Sequence, residues 1–119
     1  MKKVRHCIGA ISYCDGLKSP DRFEILKNTF TNLSKIKTED NYIFAWDNGS
    51  SEDVKEFLIN CGTFDDVYFS DTNLYTNGLI AALNLKAREL NADYVSIIAD
   101  DYLVFRPDAV NHCLNFLDE

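Results

Sequence analysis

Apolar and polar positions along the chain alternate between two rhythms. Short apolar runs recur at His6-Cys7-Ile8-Gly9-Ala10-Ile11-Ser12, Tyr42-Ile43-Phe44-Ala45-Trp46, Val67-Tyr68-Phe69 and Tyr94-Val95-Ser96-Ile97-Ile98. Each has the length and β-branched or aromatic content of a strand, and the first and last read as buried. Between them the period changes to that of a helix. Phe23, Leu26, Phe30 and Leu33 form one stripe in a helix begun by Pro20, which suits a first helical position. Ser50 with Asp53 reads as a capping box for a second helix over about 51–60. Asn77-Gly78 opens a third, in which Leu79, Leu83, Ala87 and Leu90 share a face. Pro107-Asp108 starts a last helix carrying Val110, Leu114 and Leu117. Alternating strands and helices predict an α/β fold, a Rossmann-like three-layer α/β/α sandwich with a mostly parallel sheet of about four strands. Residues 1–119 read as a single domain, with no repeat, linker or low-complexity stretch.

Composition narrows the function. A net charge of −7 over 119 residues disfavours a general nucleic-acid binder, whose affinity rests on clustered Lys and Arg. No apolar run reaches membrane-spanning length. The basic start, Met1-Lys2-Lys3-Val4-Arg5-His6, is followed too soon by Tyr13-Cys14-Asp15 to read as a signal peptide. Cys7, Cys14, Cys61 and Cys113 make no C-x-x-C pair and read as reduced, structural thiols. The expected setting is cytoplasmic. His6 and His112 are far apart in sequence and adjoin only cysteines read as structural, not a candidate nucleophile, so no Ser-His-Asp or Cys-His site is expected. The strand aromatics Phe44, Trp46, Tyr68 and Phe69 read as core.

Candidate chemistry gathers at strand ends, where open α/β sheets bind ligands. Asp100-Asp101 follows the fourth strand and precedes another apolar run, Leu103-Val104-Phe105. Desolvated carboxylates there need a partner or a metal. Adjacent residues in extended backbone point to opposite faces, so the pair divides its work. One carboxylate meets a metal and the other accepts from a ligand hydroxyl; a magnesium-like ion needs only one or two protein carboxylates beside substrate phosphates. Asp47-Asn48-Gly49-Ser50 supports two readings, a strand-end group for a base or ribose, or a turn with positive φ and a helix cap. Taken singly, the turn is preferred. Asn77-Gly78 opens a helix that could attract an anion, yet no G-x-G-x-x-G or P-loop is present. A cap with close packing at Gly78 is the preferred reading there.

Four segments in order resemble the nucleotide-binding half of a GT-A glycosyltransferase of the large inverting family two. They are Ile8 to Tyr13, the turn Trp46 to Asp53, Asn77-Gly78 with Asn84, and Ile98-Ala99-Asp100-Asp101 with Pro107-Asp108. The resemblance implies a nucleoside-diphosphate sugar as ligand and transfer of its sugar to an acceptor. It implies nucleotide binding by Ser12, Tyr13, Asp47, Asn48, Asn77, Gly78 and Asp100, with Asp100 on the ribose. Asp101 would hold Mg²⁺ or Mn²⁺ on the diphosphate. Ala99 stands where many members carry an acid. Family domains are longer and carry their general base beyond the metal motif, so the chain reads as a truncated half without a catalytic residue of its own.

The resemblance leaves enzymatic activity open, as metal-dependent glycosyl transfer or as a non-catalytic interaction domain that keeps the fold. Expected partners are the nucleotide sugar and either a second copy or a protein supplying the acceptor half. Nucleic acid and membrane insertion are not expected. A receiver-like signalling domain would need acids after the first strand, where Ser12-Tyr13 stand.

Overall fold

The computed structural model describes residues 4–101 together with Asn115, Leu117 and Asp118. Four strands, β1 (His6–Ser12), β2 (Asn41–Asp47), β3 (Asp66–Phe69) and β4 (Tyr94–Ile98), form one sheet in the order β3-β2-β1-β4. Every pairing is parallel, which confirms the α/β reading. Helices α1 (Pro20–Leu33), α2 (Glu52–Asn60) and α3 (Asn77–Glu89) supply the crossovers. Of the helix expected from Pro107, Asn115 and Leu117 are described and are helical; its start, Leu103 to Phe105, His112 and Cys113 lie outside the described residues. No described helix is long and apolar enough to cross a membrane.

The sheet has a core on each face because successive strand residues point oppositely. Ile8, Ala10 and Ile43 pack with Leu26, Phe30 and Leu33 of α1 and with Val54 and Leu58 of α2. Cys7 and Phe44 pack with Leu79 and Leu83 of α3 on the other face. The helical stripes read from the sequence are therefore the buried ones. Helix α3 stops one residue earlier than its apolar pattern. Asn91 takes φ 52°, and the Ala92 and Asn91 N–H groups donate to the Ala87 and Arg88 carbonyls. That is a Schellman closure with Asn in the left-handed position.

Three expectations need correction. Strand β4 is half-exposed rather than buried, with Val95 51% and Ile97 43% accessible, because within the described sheet it pairs only with β1. Phe69, on the opposite edge strand, is likewise exposed, while Phe44 is core and Trp46 and Tyr68 pack partly against it. Ser50 does not cap α2. The N-cap is Ser51, and the Ser50 hydroxyl is drawn to the Asp47 carboxylate instead.

The strand order locates the crevice. From β1 the chain moves through β2 to β3, then returns through α3 to place β4 on the far side of β1. The reversal lies between β1 and β4, and ligand crevices of open α/β sheets lie outside the carboxyl ends of the strands at such a reversal. The residues that immediately follow these two strands are Tyr13 and the segment Ala99-Asp100-Asp101.

Candidate functional site

At this switch point the Tyr13 N–H donates to Asp100 Oδ2 at 3.2 Å, so the two strand ends are bonded directly. Arg22, in the first turns of α1, brings its guanidinium to 3.9 Å from Asp100 Oδ1. The Asp100 side chain keeps only 15% of its accessibility. Burial pushes its carboxyl above the ordinary carboxylate range, with the Tyr13 N–H and Arg22 pulling the other way and Asp101 reinforcing the rise. A carboxylate held partly desolvated beside an open cavity is poised to accept a hydrogen bond from a ligand.

The cavity that these residues line measures about 230 Å³, and Asn48, Asn73, Tyr75 and Thr76 complete much of its wall. A second cavity of about 230 Å³ adjoins it, sharing Tyr13 and Arg22 and adding Lys18 and Ser19. Each alone is smaller than a usual ligand pocket of roughly 300 Å³ or more, and the two share Tyr13 and Arg22 as walls of the candidate recess. A larger groove, about 600 Å³, runs between α3 and the ring faces of Trp46 and Tyr68. Its charged members, Lys86 and Glu89, neutralise each other at 3.2 Å, so it lacks convergent free polar groups. We therefore place the candidate site at the switch point and not in the larger groove.

Residues singled out by sequence fall into three places. Tyr13, Asn48 and Asp100 meet in the recess. Ser12 and Asp47 are fully buried and paired in register on β1 and β2. The Ser12 hydroxyl has no hydrogen-bond partner among the described residues. The Asp47 carboxylate accepts from Gly49 N at 3.2 Å, Ser50 N at 2.9 Å and Ser50 Oγ at 2.5 Å. The Ser50 hydroxyl in turn accepts the Cys14 N–H at 3.0 Å. The Asn48 N–H donates to the Ser12 carbonyl and the Ser70 N–H to the Asp47 carbonyl. The turn thus ties together the ends of β1, β2 and β3, with Gly49 at φ 90° supplying the left-handed step.

Asn77 and Gly78 form the third place, at the start of α3. Asn77 is exposed, and the N-cap is Thr76 with no side-chain cap bond. Gly78 lies against the indole of Trp46, where a Cβ would come within 2.3 Å of ring carbon Cζ2. Neither lines the recess. Asp101 is exposed in the turn after β4.

The residues present fit a metal only narrowly. No group of three metal-ligating side chains exists among the described residues. Arg22 already supplies a cation beside Asp100. Asp101, exposed beside Asp100, could approach a metal, with a diphosphate required for the remaining ligands.

Sequence reasoning passed over Arg22 and Tyr75. Arg22 sits on the polar side of the α1 pattern, and only the fold shows that this side faces Asp100. Tyr75 adopts φ 55°, and the residue is 75% exposed at the rim of the recess. The expected markers of such a conformation, Gly or Asn, are absent at that position.

The strands and their order define a Rossmann-like α/β fold. No family model and no curated protein sequence matches the chain. Among solved structures it is similar to S. aureus TarS, in a crystal structure of residues 1–349, with a TM-score of 0.66 at 12% sequence identity. The match covers 97% of this chain and 32% of that one, so the chain spans about a third of the TarS chain. At this identity the likeness concerns the fold alone.

Proposed function

We infer that the chain is a nucleotide-binding unit of a glycosyltransferase-like protein and that its recess takes a nucleoside-diphosphate sugar. The observation that carries this reading is the bond between Tyr13 N–H and Asp100 at the switch point. It sets a half-buried carboxylate at the location where such sheets bind nucleotides. Asp100 would accept from a ribose hydroxyl, and Tyr13 would line the base side. Arg22, with Lys18 in the adjoining cavity, offers positive charge to the diphosphate. This local charge matters because the chain as a whole is acidic. Asp101 would hold Mg²⁺ or Mn²⁺, and the bound metal would supply a Lewis acid that neutralises the departing diphosphate. Transfer to an acceptor would also call for a general base.

Isothermal titration of nucleoside diphosphates and their sugar conjugates, each with Mn²⁺, tests the reading. A binding heat that depends on Mn²⁺, and loses that dependence in Asp101→Ala, is the expected result. Absence of heat for every nucleotide, with and without metal, would overturn it.

A further inference from the structure

Tyr75 spends backbone energy without burying its side chain. A bulky residue at φ 55° is an outlier that persists only where its surroundings over-determine it. Here they do. The buried side chain of Asn48 donates from Nδ2 to the Tyr75 carbonyl at 2.8 Å, and its Oδ1 accepts the Leu74 N–H at 3.2 Å. The Trp46 indole N–H donates to the same Oδ1 at 3.0 Å and fixes the orientation of the amide. From the other side, the Tyr75 N–H donates to Asn73 Oδ1 at 2.8 Å. Three hydrogen bonds hold the segment and a fourth orients the Asn48 amide, yet the ring they position is exposed and packs into neither core. Its place is the rim of the recess that also holds Tyr13 and Asp100.

Core packing does not account for this arrangement, since glycine would take the same φ with less strain. What glycine would lack is an aromatic face. We propose that Tyr75 is a stacking residue for the planar base of the bound nucleotide, and that Asn48 is its positioning residue rather than a base-reading group. This rests on the nucleotide reading above and adds to it the part of the ligand that the strained loop meets. Asn48 has its amide committed to the loop, both Nδ2 and Oδ1, and so acts through Tyr75. Every base presents a π-face, so stacking here confers affinity for a base with little choice among bases.

The test compares a ligand with a base and one without. Binding of uridine diphosphate, adenosine diphosphate and inorganic pyrophosphate, each with Mn²⁺, is measured by calorimetry on the wild-type chain, Tyr75→Gly, Tyr75→Phe and Asn48→Ala. Tyr75→Gly should keep or raise the melting temperature, which separates a binding loss from misfolding. It should weaken both nucleoside diphosphates about tenfold or more, the usual scale of base–aromatic stacking. Its affinity for pyrophosphate should stay within twofold. Tyr75→Phe should restore nucleotide affinity to within threefold, and Asn48→Ala should follow Tyr75→Gly in losing nucleotide but not pyrophosphate. If the wild type binds nucleotides and Tyr75→Gly binds them equally well, the stacking role is overturned while the nucleotide reading stands. An equal loss of pyrophosphate also overturns it, because the ring would then act on the whole recess. If the wild type binds pyrophosphate but gains nothing from an attached nucleoside, both are overturned.

Discussion

Two aspartates stand at the ends of the two strands that flank β1 and do opposite things. Asp47, the last residue of β2, is fully buried and accepts three hydrogen bonds from its own turn. Asp100, after β4, accepts the Tyr13 N–H across the sheet and opens on a cavity. The first is saturated by the protein. The second is left with accepting capacity on the side where a ligand would lie. A carboxylate at a strand end is therefore a structural part when its turn supplies the donors, and a site when the turn leaves them to something else.

The widest separation should come from removing each carboxylate. Asp47→Ala leaves three donors facing a buried vacancy, at a cost of about 4 kcal/mol for several lost charge-assisted bonds. Chemical denaturation at pH 7.5 measures this. Asp100→Asn should do the reverse of Asp47→Ala, leaving the melting temperature unchanged or slightly higher while nucleotide binding falls. Equal destabilisation by the two substitutions would erase the distinction.

The pH window for that comparison is set at the amino-terminal end of the same sheet. His6 is buried, bonded through Nε2 to the Ser96 hydroxyl at 2.6 Å, and its Nδ1 has no partner among the described residues. Burial, helped by neighbouring Arg5, lowers its pKa to about 4. A group whose folded pKa lies below its unfolded value of about 6.5 stabilises the neutral form. Its contribution is complete above pH 6.5 and is lost as the pH falls toward 4, by up to about 3 kcal/mol. His6→Asn should flatten the profile between those limits, and parallel profiles for variant and wild type would refute the assignment. The Asp pair is therefore best compared above pH 7.

Tyr75→Gly gives a smaller effect of opposite sign. Relief of the left-handed strain, about 1–2 kcal/mol, is offset by about 0.5–1 kcal/mol of added chain entropy, for a net gain near 0.5 kcal/mol. A thermal melt reads it, and a loss of more than 1 kcal/mol would mean that the ring is structural after all. The least effect concerns Asp100 itself. Because burial raises its pKa, its ionisation opposes folding. The stability deficit appears as the pH rises through the unfolded carboxylate value and is full above the folded one. The wild-type chain and Asp100→Asn should thus converge in stability at acid pH and separate slightly at neutral pH.

Much of this architecture is legible in the sequence. The boundaries of β1 and β4 coincide with their apolar runs, and the stripes Leu26-Phe30-Leu33 and Leu79-Leu83 are core because a 3.6-residue period leaves one way to bury them. The site was readable only as a location. Asp47 and Asp100 look alike in sequence, and what separates them is which donors converge on each, a property of the turn geometry. Ser50 and Ser51 are adjacent and equally good caps, and the choice fell to Ser51 once Asp47 captured the other hydroxyl. The exposure of β4 depends on strand order, which no local pattern encodes. Tyr75 was invisible because its conformation is imposed by Asn48, 27 positions earlier in the chain.

The contact of Trp46 with Asn48 has a practical side. This is the chain's only tryptophan, its ring lies against Gly78 and its N–H is bonded to the amide that holds the Tyr75 loop. Indole emission responds to both the polarity around the ring and the fate of that N–H. Any ligand that tightens or loosens the loop will therefore register in the intrinsic fluorescence, with no label attached. The protein carries its own optical gauge, wired to the rim of the recess.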